Sequence, residues 1–261
     1  MSRRVVAAVV LLLSFGLGIV LGPVVFAALA PGTEPTSAAP ATTDGGPTTP
    51  VELSTETPRV PTPEATTLTP EQEADRLAGV RTHRVPDAGS GELRVVAGEA
   101  EAPDGADVVM TVRVEVERGL DVDDRAFAAF VMSTLNDPRG WGGDGSVAFV
   151  RTDGEADIRV VLATPATVDE MCAPLATNGR WSCGRYGHAA LNADRWVLGA
   201  DAWSDAGGDL TSYRQYLVNH EVGHLLGNPH EDCPGAGEVA PVMVQQSISV
   251  QGCVPNAWPF P

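Results

Sequence analysis

His220, Glu221, His224 and His230 fall within eleven residues of a 261-residue chain that contains only five histidines. On a helix, residues four apart project from one face, so His220 and His224 can reach one metal ion with Glu221 beside it. Gly227 follows His224 by three positions and can take the positive φ that ends a helix, and the turn it permits brings His230 back to the same ion. Three imidazoles leave one coordination position open for water. Zinc held in this way lowers the pKa of that water to about 7, and a neighbouring carboxylate then completes its deprotonation. Glu221 is placed as that general base. The bland alternative, a helix bearing solvated histidines, accounts for His220 and His224 alone but not for Gly227 and His230.

The rest of the chain must position this stretch outside the cytoplasm. Arg3 and Arg4 precede an uncharged run from Val5 to Ala30. That run is long enough to cross about 30 Å of hydrocarbon as a helix, with the arginines on the cytoplasmic side. Residues 1–30 therefore read as a transmembrane anchor or signal segment, and the length of the apolar run and Pro31 favour an uncleaved single-pass anchor over a secreted product. Residues 31–78 read as a linker rich in Pro, Thr and Ala, with too little apolar surface to offset the entropy of ordering it. The folded domain is expected over residues 79–261. A formal charge of −17, with all seventeen basic residues arginine, argues against a nucleic-acid partner. The expected partners are the membrane, through the N-terminal segment, and a protein or peptide substrate, with the chain acting as a monomer.

Within the domain, Arg94-Val95-Val96 and the alternating run from Thr111 to Val116 predict strands. Phe127, Phe130, Val131 and Leu135 recur at helical spacing and predict a helix over residues 121–135, stopped by Asn136-Asp137-Pro138. Two strands follow at 146–151 and 157–162, separated by an Asp153-Gly154 turn signal, and another lies at 188–192. The histidine-bearing helix is expected to start at Asp209 or Thr211, either of which can cap it, and to run to Leu226. Strands and helices in this order make a small α+β domain.

Cys172, Cys183, Cys233 and Cys253 all lie in the part expected outside the cytoplasm, where two disulfides are the natural outcome. Of the three connectivities, local pairing of Cys172 with Cys183 and Cys233 with Cys253 is preferred. A cysteine-based zinc site is the alternative, disfavoured because no short Cys-x-x-Cys pair occurs. A Cys233–Cys253 bridge would close a loop beginning just after His230. His188 is expected to be an ordinary strand histidine, and His83 carries no motif.

His-Glu-x-x-His-x-x-Gly-x-x-His followed by a late Met resembles the metzincin zinc peptidases, with Met243 where their Met-turn falls. The region 213–246, with Trp181-Ser182-Cys183, also resembles an uncharacterised actinobacterial family of secreted or membrane-anchored proteins. The metzincin resemblance implies a zincin domain with a small twisted sheet and a long zinc-binding helix. It further implies His220, His224 and His230 as zinc ligands, Glu221 as catalytic base, and Met243 as an apolar floor beneath the ligands. The chain departs from many metzincins in having only eighteen residues after Met243 and no Tyr beside it. Tyr186, Tyr213 and Tyr216 are substitutes for that Tyr or structural residues. The expected activity is extracytoplasmic, zinc-dependent hydrolysis of peptide bonds. A non-catalytic zinc-stabilised cell-surface binding module and an amidase of non-peptide substrates are the competing expectations.

Overall fold

The computed structural model describes residues 67–261. The expected membrane segment at 1–30, and the linker as far as residue 66, lie outside the described residues. Among the described residues no helix is long and apolar enough to cross a membrane.

The ordered chain begins earlier than the composition predicts. Helix α1, Pro70–Ala78, occupies the last part of the segment assigned to linker. Thr69 caps it through a reciprocal arrangement with Gln72, and Gly79 ends it at φ 75°. What holds α1 down is remote in sequence, as the buried Arg214 donates to the Ala74 carbonyl at 2.8 Å and to the Asp75 carboxylate at 2.7 Å.

Six strands form one mixed sheet: β1 (Leu93–Val95), β2 (Val108–Glu117), β3 (Val147–Arg151), β4 (Ile158–Ala163), β5 (Cys183–Arg185) and β6 (His188–Asn192). The main order is β1-β2-β4-β6-β5, with β3 also paired to β2. The Asp153-Gly154 turn does not fold β3 and β4 into a hairpin. Both run parallel to β2, β3 beside residues 108–112 and β4 beside residues 112–116. Val112 is paired with Arg151 of β3 and Ile158 of β4, so the chain crosses β2 at that level and continues in the same direction. Because the two strands occupy different heights, a short connection suffices where overlapping parallel strands would need a long crossover.

Alternation along the strands sorts the two faces. Val112, Val114 and Val116 of β2, Ile158, Val160 and Leu162 of β4, and Ala189 and Leu191 of β6 enter the main core. There they meet Phe127, Val131 and Leu135 of α2 (Asp124–Leu135) and Tyr213, Tyr216 and Leu217 of α6 (Leu210–Leu225). The opposite face places Val161, Ala163 and Ala190 against Val168 and Cys172 of α3 (Pro165–Cys172). On that face Glu115 is also buried, held by Arg113 at 2.6 Å and by Arg159. The short helices α4 (Ala193–Leu198) and α5 (Asp201–Ser204) lead into α6 and contribute Trp196 and Trp203 to the main core.

Asp209 caps α6 by accepting the N–H of Ser212 at 2.9 Å, as one of the two expected caps, and the helix ends at Leu225, with the expected last residue Leu226 as its C-cap. An unbroken run from Tyr216 to Gly223 is buried. A helix covered so fully cannot be positioned by one apolar stripe alone. The sheet lies on one side and the C-terminal segment closes another, with Asn219 donating to the Ala257 carbonyl at 2.9 Å. Among the described residues no helix follows α6.

Candidate metal centre

α6 carries His220 and His224 one turn apart, and its C-terminal signal sets the third histidine. Gly227 adopts φ 93°, its N–H bonds the His224 carbonyl at 3.1 Å, and the Asn228 N–H bonds the Gly223 carbonyl at 3.0 Å. This left-handed close reverses the chain, which an L side chain at residue 227 would resist. One nitrogen from each of His220, His224 and His230 then lies within 4.8 Å of the others. Exposure increases from the buried His220 through the half-buried His224 to the exposed His230, so the cluster opens to solvent on the His230 side.

The hydrogen bonds leave a nitrogen of each helical imidazole able to face a cation. Nδ1 of His220 donates to the Val242 carbonyl at 2.9 Å and Nδ1 of His224 to the Asn228 carbonyl at 2.9 Å. A proton held on Nδ1 leaves the Nε2 lone pair free for a cation. Nε2 of His224 lies 3.1 Å from Nε2 of His230, close to the roughly 3.3 Å that separates two ligands on a tetrahedral ion with bonds of about 2.0–2.1 Å. Burial pushes His220 down to about 3, and burial also lowers His224 and His230. All three are therefore neutral near pH 7, the state a metal needs. This donor set could hold a metal ion.

Glu221 is buried beside the cluster. Burial raises its carboxyl to about 8, against the opposing pull of the Gly184 backbone N–H. A divalent cation among the three histidines would restore the charged form, because a neighbouring positive charge offsets desolvation.

The segment around Met243 lies against both parts of the ligand set. The Val242 carbonyl accepts from His220, while the Met243 carbonyl accepts the Glu231 N–H at 3.1 Å, next to His230. The Met243 side chain is buried in the main core, and a Cβ on Gly223 would stand 2.6 Å from its sulfur. Gly223, between the two helical histidines, thus makes the room that Met243 and Trp141 fill. Both disulfides form as the local pairing predicts, Cys172 with Cys183 and Cys233 with Cys253. The second closes the loop after His230, where the Cys233 N–H also bonds the Gln251 side chain at 2.9 Å.

The histidines and Glu221 line a cavity of about 370 Å³. One wall is the chain from Leu175 to Arg185 and another is the turn from Gln245 to Ile248. Gly184 is the residue that sequence patterning missed. A Cβ there would overlap the main-chain oxygen of Glu221 and stand 2.9 Å from Cβ of His224, so only glycine lets β5 press against α6. Its place directly after Cys183 was the available signal.

Of the remaining candidates only Tyr216 lines the cavity, its ring 5.1 Å from that of His220. Tyr213 pairs with Ser247 at 2.8 Å, and Tyr216 donates to the Val244 carbonyl at 3.0 Å while accepting the Gln246 N–H at 2.9 Å. Both hydroxyls are tied into the fold. Tyr186 is exposed in the turn after β5, beneath the Arg185 guanidinium. His188 lies on the α3 face of β6, donates to the Met171 carbonyl at 3.1 Å and is lowered by burial. His83 bonds Asp75 at 2.6 Å.

The fold and site define an α+β domain presenting three clustered histidines and a buried glutamate in an open cavity. Residues 80–261 match the family model described as "Protein of unknown function (DUF3152)", and the chain belongs to that family. No curated protein and no solved structure matches the chain.

Proposed function

We propose that this chain is an extracytoplasmic zinc-dependent endopeptidase with a metzincin-like site, acting as a monomer tethered through its N-terminal segment. The observation that carries the proposal is the convergence of His220, His224 and His230 beside Glu221 in one solvent-open cavity. A purely structural zinc site is normally closed by four protein ligands, whereas this one offers three and a carboxylate. Met243 beneath α6 supports the metzincin likeness, as does Gly227 turning the chain to His230. Two disulfides suit an oxidising compartment.

His220, His224 and His230 would hold the ion, which when bound supplies Lewis-acid polarisation and a water of pKa about 7. Glu221 accepts a proton from the attacking water as the new C–O bond forms. It then delivers that proton to the amide nitrogen as the C–N bond breaks, leaving a carboxylic acid and an amine. Its buried position keeps the proton from bulk solvent between the two transfers. The same residues would serve hydrolysis of a non-peptide amide, so the site chemistry is proposed ahead of any substrate sequence.

The test is digestion of a mixed peptide library by the zinc-loaded, disulfide-intact protein, with and without chelator, alongside Glu221→Gln and His230→Ala. Expected are chelator-sensitive cleavage, bound zinc without cleavage in Glu221→Gln, and lost zinc in His230→Ala. A zinc-loaded wild type that cleaves nothing would favour the non-catalytic surface-binding module, and undiminished cleavage by Glu221→Gln would remove Glu221 as the base.

A further inference from the structure

The ligands and Glu221 account for the attacking water and the leaving amine but provide no side-chain donor for the carbonyl oxygen. That oxygen carries negative charge while its carbon is tetrahedral. Most polar side chains of the cavity are already bonded into the fold. The Thr177 hydroxyl donates to Asp169, while Ser182 Oγ is tied to the main chain only as an acceptor, of the Asn192 N–H at 3.0 Å. Tyr216 bonds the main chain on both sides of Gln245, and Ser247 pairs with Tyr213. Arg185 donates to the Cys172 carbonyl at 2.9 Å.

Gln245 differs from these. Its side chain is exposed, lines the cavity with the three histidines and makes no hydrogen bond among the described residues. Its main chain is nevertheless fixed, its carbonyl accepting the N–H groups of Ile248 at 2.9 Å and Ser249 at 3.1 Å. Its neighbours Val244 and Gln246 are fully buried. The same segment bonds both flanks of the ligand set, through Val242 to His220 and through Met243 to the residue after His230. An unpaired carboxamide carried on a clamped turn beside the histidines can donate into the cavity from a fixed main-chain position. The Trp181 indole N–H also lacks a partner among the described residues, but nothing comparable ties its segment to the histidines.

We propose that Gln245 is a catalytic residue whose side-chain N–H donates to the carbonyl oxygen of the scissile amide as it becomes negative. The assignment rests on the hydrolytic function proposed above. Because Gln245 is exposed, its substitution leaves folding and zinc content unchanged.

The experiment compares wild type, Gln245→Ala, Gln245→Glu and Trp181→Phe in the zinc-loaded full chain. It uses a peptide that the wild type cleaves and the phosphinic pseudopeptide of that sequence as a tetrahedral anionic probe. Both Gln245 variants are expected to keep wild-type Tm and zinc content, to lose about 100-fold in kcat with KM little changed, and to bind the probe more weakly by a similar factor. Glu is nearly isosteric but cannot donate when ionised, so its loss separates donation from shape. Trp181→Phe, which removes the rival indole N–H of the cavity wall, is expected to lose less kcat and less probe affinity than Gln245→Ala. The proposal is overturned if Gln245→Ala keeps kcat and probe affinity within threefold, or if Trp181→Phe carries the loss. A wild type that neither cleaves peptides nor binds phosphinic probes overturns the hydrolytic function itself, and this assignment with it.

Discussion

Gly184 of β5 packs so closely on Glu221 of α6 that a Cβ at residue 184 would stand 2.8 Å from the Glu221 carbonyl carbon and overlap the attached oxygen. The contact joins the edge of the sheet to the helix turn that carries the proposed base. The Gly184 backbone N–H also pulls the Glu221 carboxyl down, against the burial that raises it.

Gly184→Ala is therefore predicted to force β5 away from α6. Overpacking of this kind costs about 1–3 kcal/mol, and the displaced turn should also weaken zinc binding through His224. Thermal unfolding and zinc competition against a chelator check both effects. A variant with wild-type Tm and zinc affinity would show that the contact relaxes at no cost.

The two disulfides should have separable consequences. Cys233→Ala/Cys253→Ala opens the loop that follows His230 and is expected to lower zinc affinity. Cys172→Ala/Cys183→Ala frees β5 from α3 and should slow hydrolysis more than it weakens zinc binding. Each bridge closes a short loop, of sequence separation 20 and 11 respectively, for which chain entropy alone gives about 3 kcal/mol of stability. Equal zinc affinity in the two double variants would contradict the division.

The pair formed by Asp75 and Arg214 predicts where the domain can be cut. Burial draws the Arg214 guanidinium below its ordinary value, and Asp75 opposes that pull. Asp75→Ala leaves the buried cation without its carboxylate, for which about 3–5 kcal/mol is expected. A chain beginning at Gly79 should be destabilised at least as much, since it also loses the Ala74 carbonyl. Combining Asp75→Ala with Arg214→Met should recover part of the loss in denaturant unfolding. Additive single effects would argue against the pair.

Glu117 provides a pH-dependent test away from the histidines. Burial raises its carboxyl, but the N–H groups of Thr164 and Gly91 and the hydroxyls of Thr164 and Thr167 outweigh that and hold it below the ordinary value. A carboxyl with a depressed folded pKa contributes stability that is complete above its unfolded pKa, about 4.3, and is lost as pH falls through the folded value. Wild type should lose Tm more steeply than Glu117→Gln as pH drops below about 4.3. Histidine protonation is common to both proteins and cancels in the comparison, so parallel curves would show that Glu117 carries no such linkage.

Local rules made several elements legible in the chain itself. Asp209 at the cap, Gly227 at the close and two histidines four apart specify α6, because capping, left-handed φ and helical periodicity are properties of neighbouring residues. The alternation of β2, the apolar spacing of α2 and the pairing of near cysteines follow for the same reason. The short β5 has no pattern to read. Its place comes from a disulfide and from a glycine fitting against a helix thirty-seven residues later. α1 sits in a Pro-, Thr- and acid-rich stretch, and it is Arg214, far along the chain, that fixes it.

The chemistry proposed at the site was carried by the sequence in His220, Glu221, His224 and His230. Only the tertiary structure decided that Val242 and Met243 brace the histidine cluster, that the Tyr213 and Tyr216 hydroxyls are bonded into the fold, and that Gln245 is left free in the cavity. Those outcomes depend on which donors find partners across the fold. Residue type and spacing cannot encode that, because a hydroxyl or carboxamide becomes available for function only when packing leaves it unpaired.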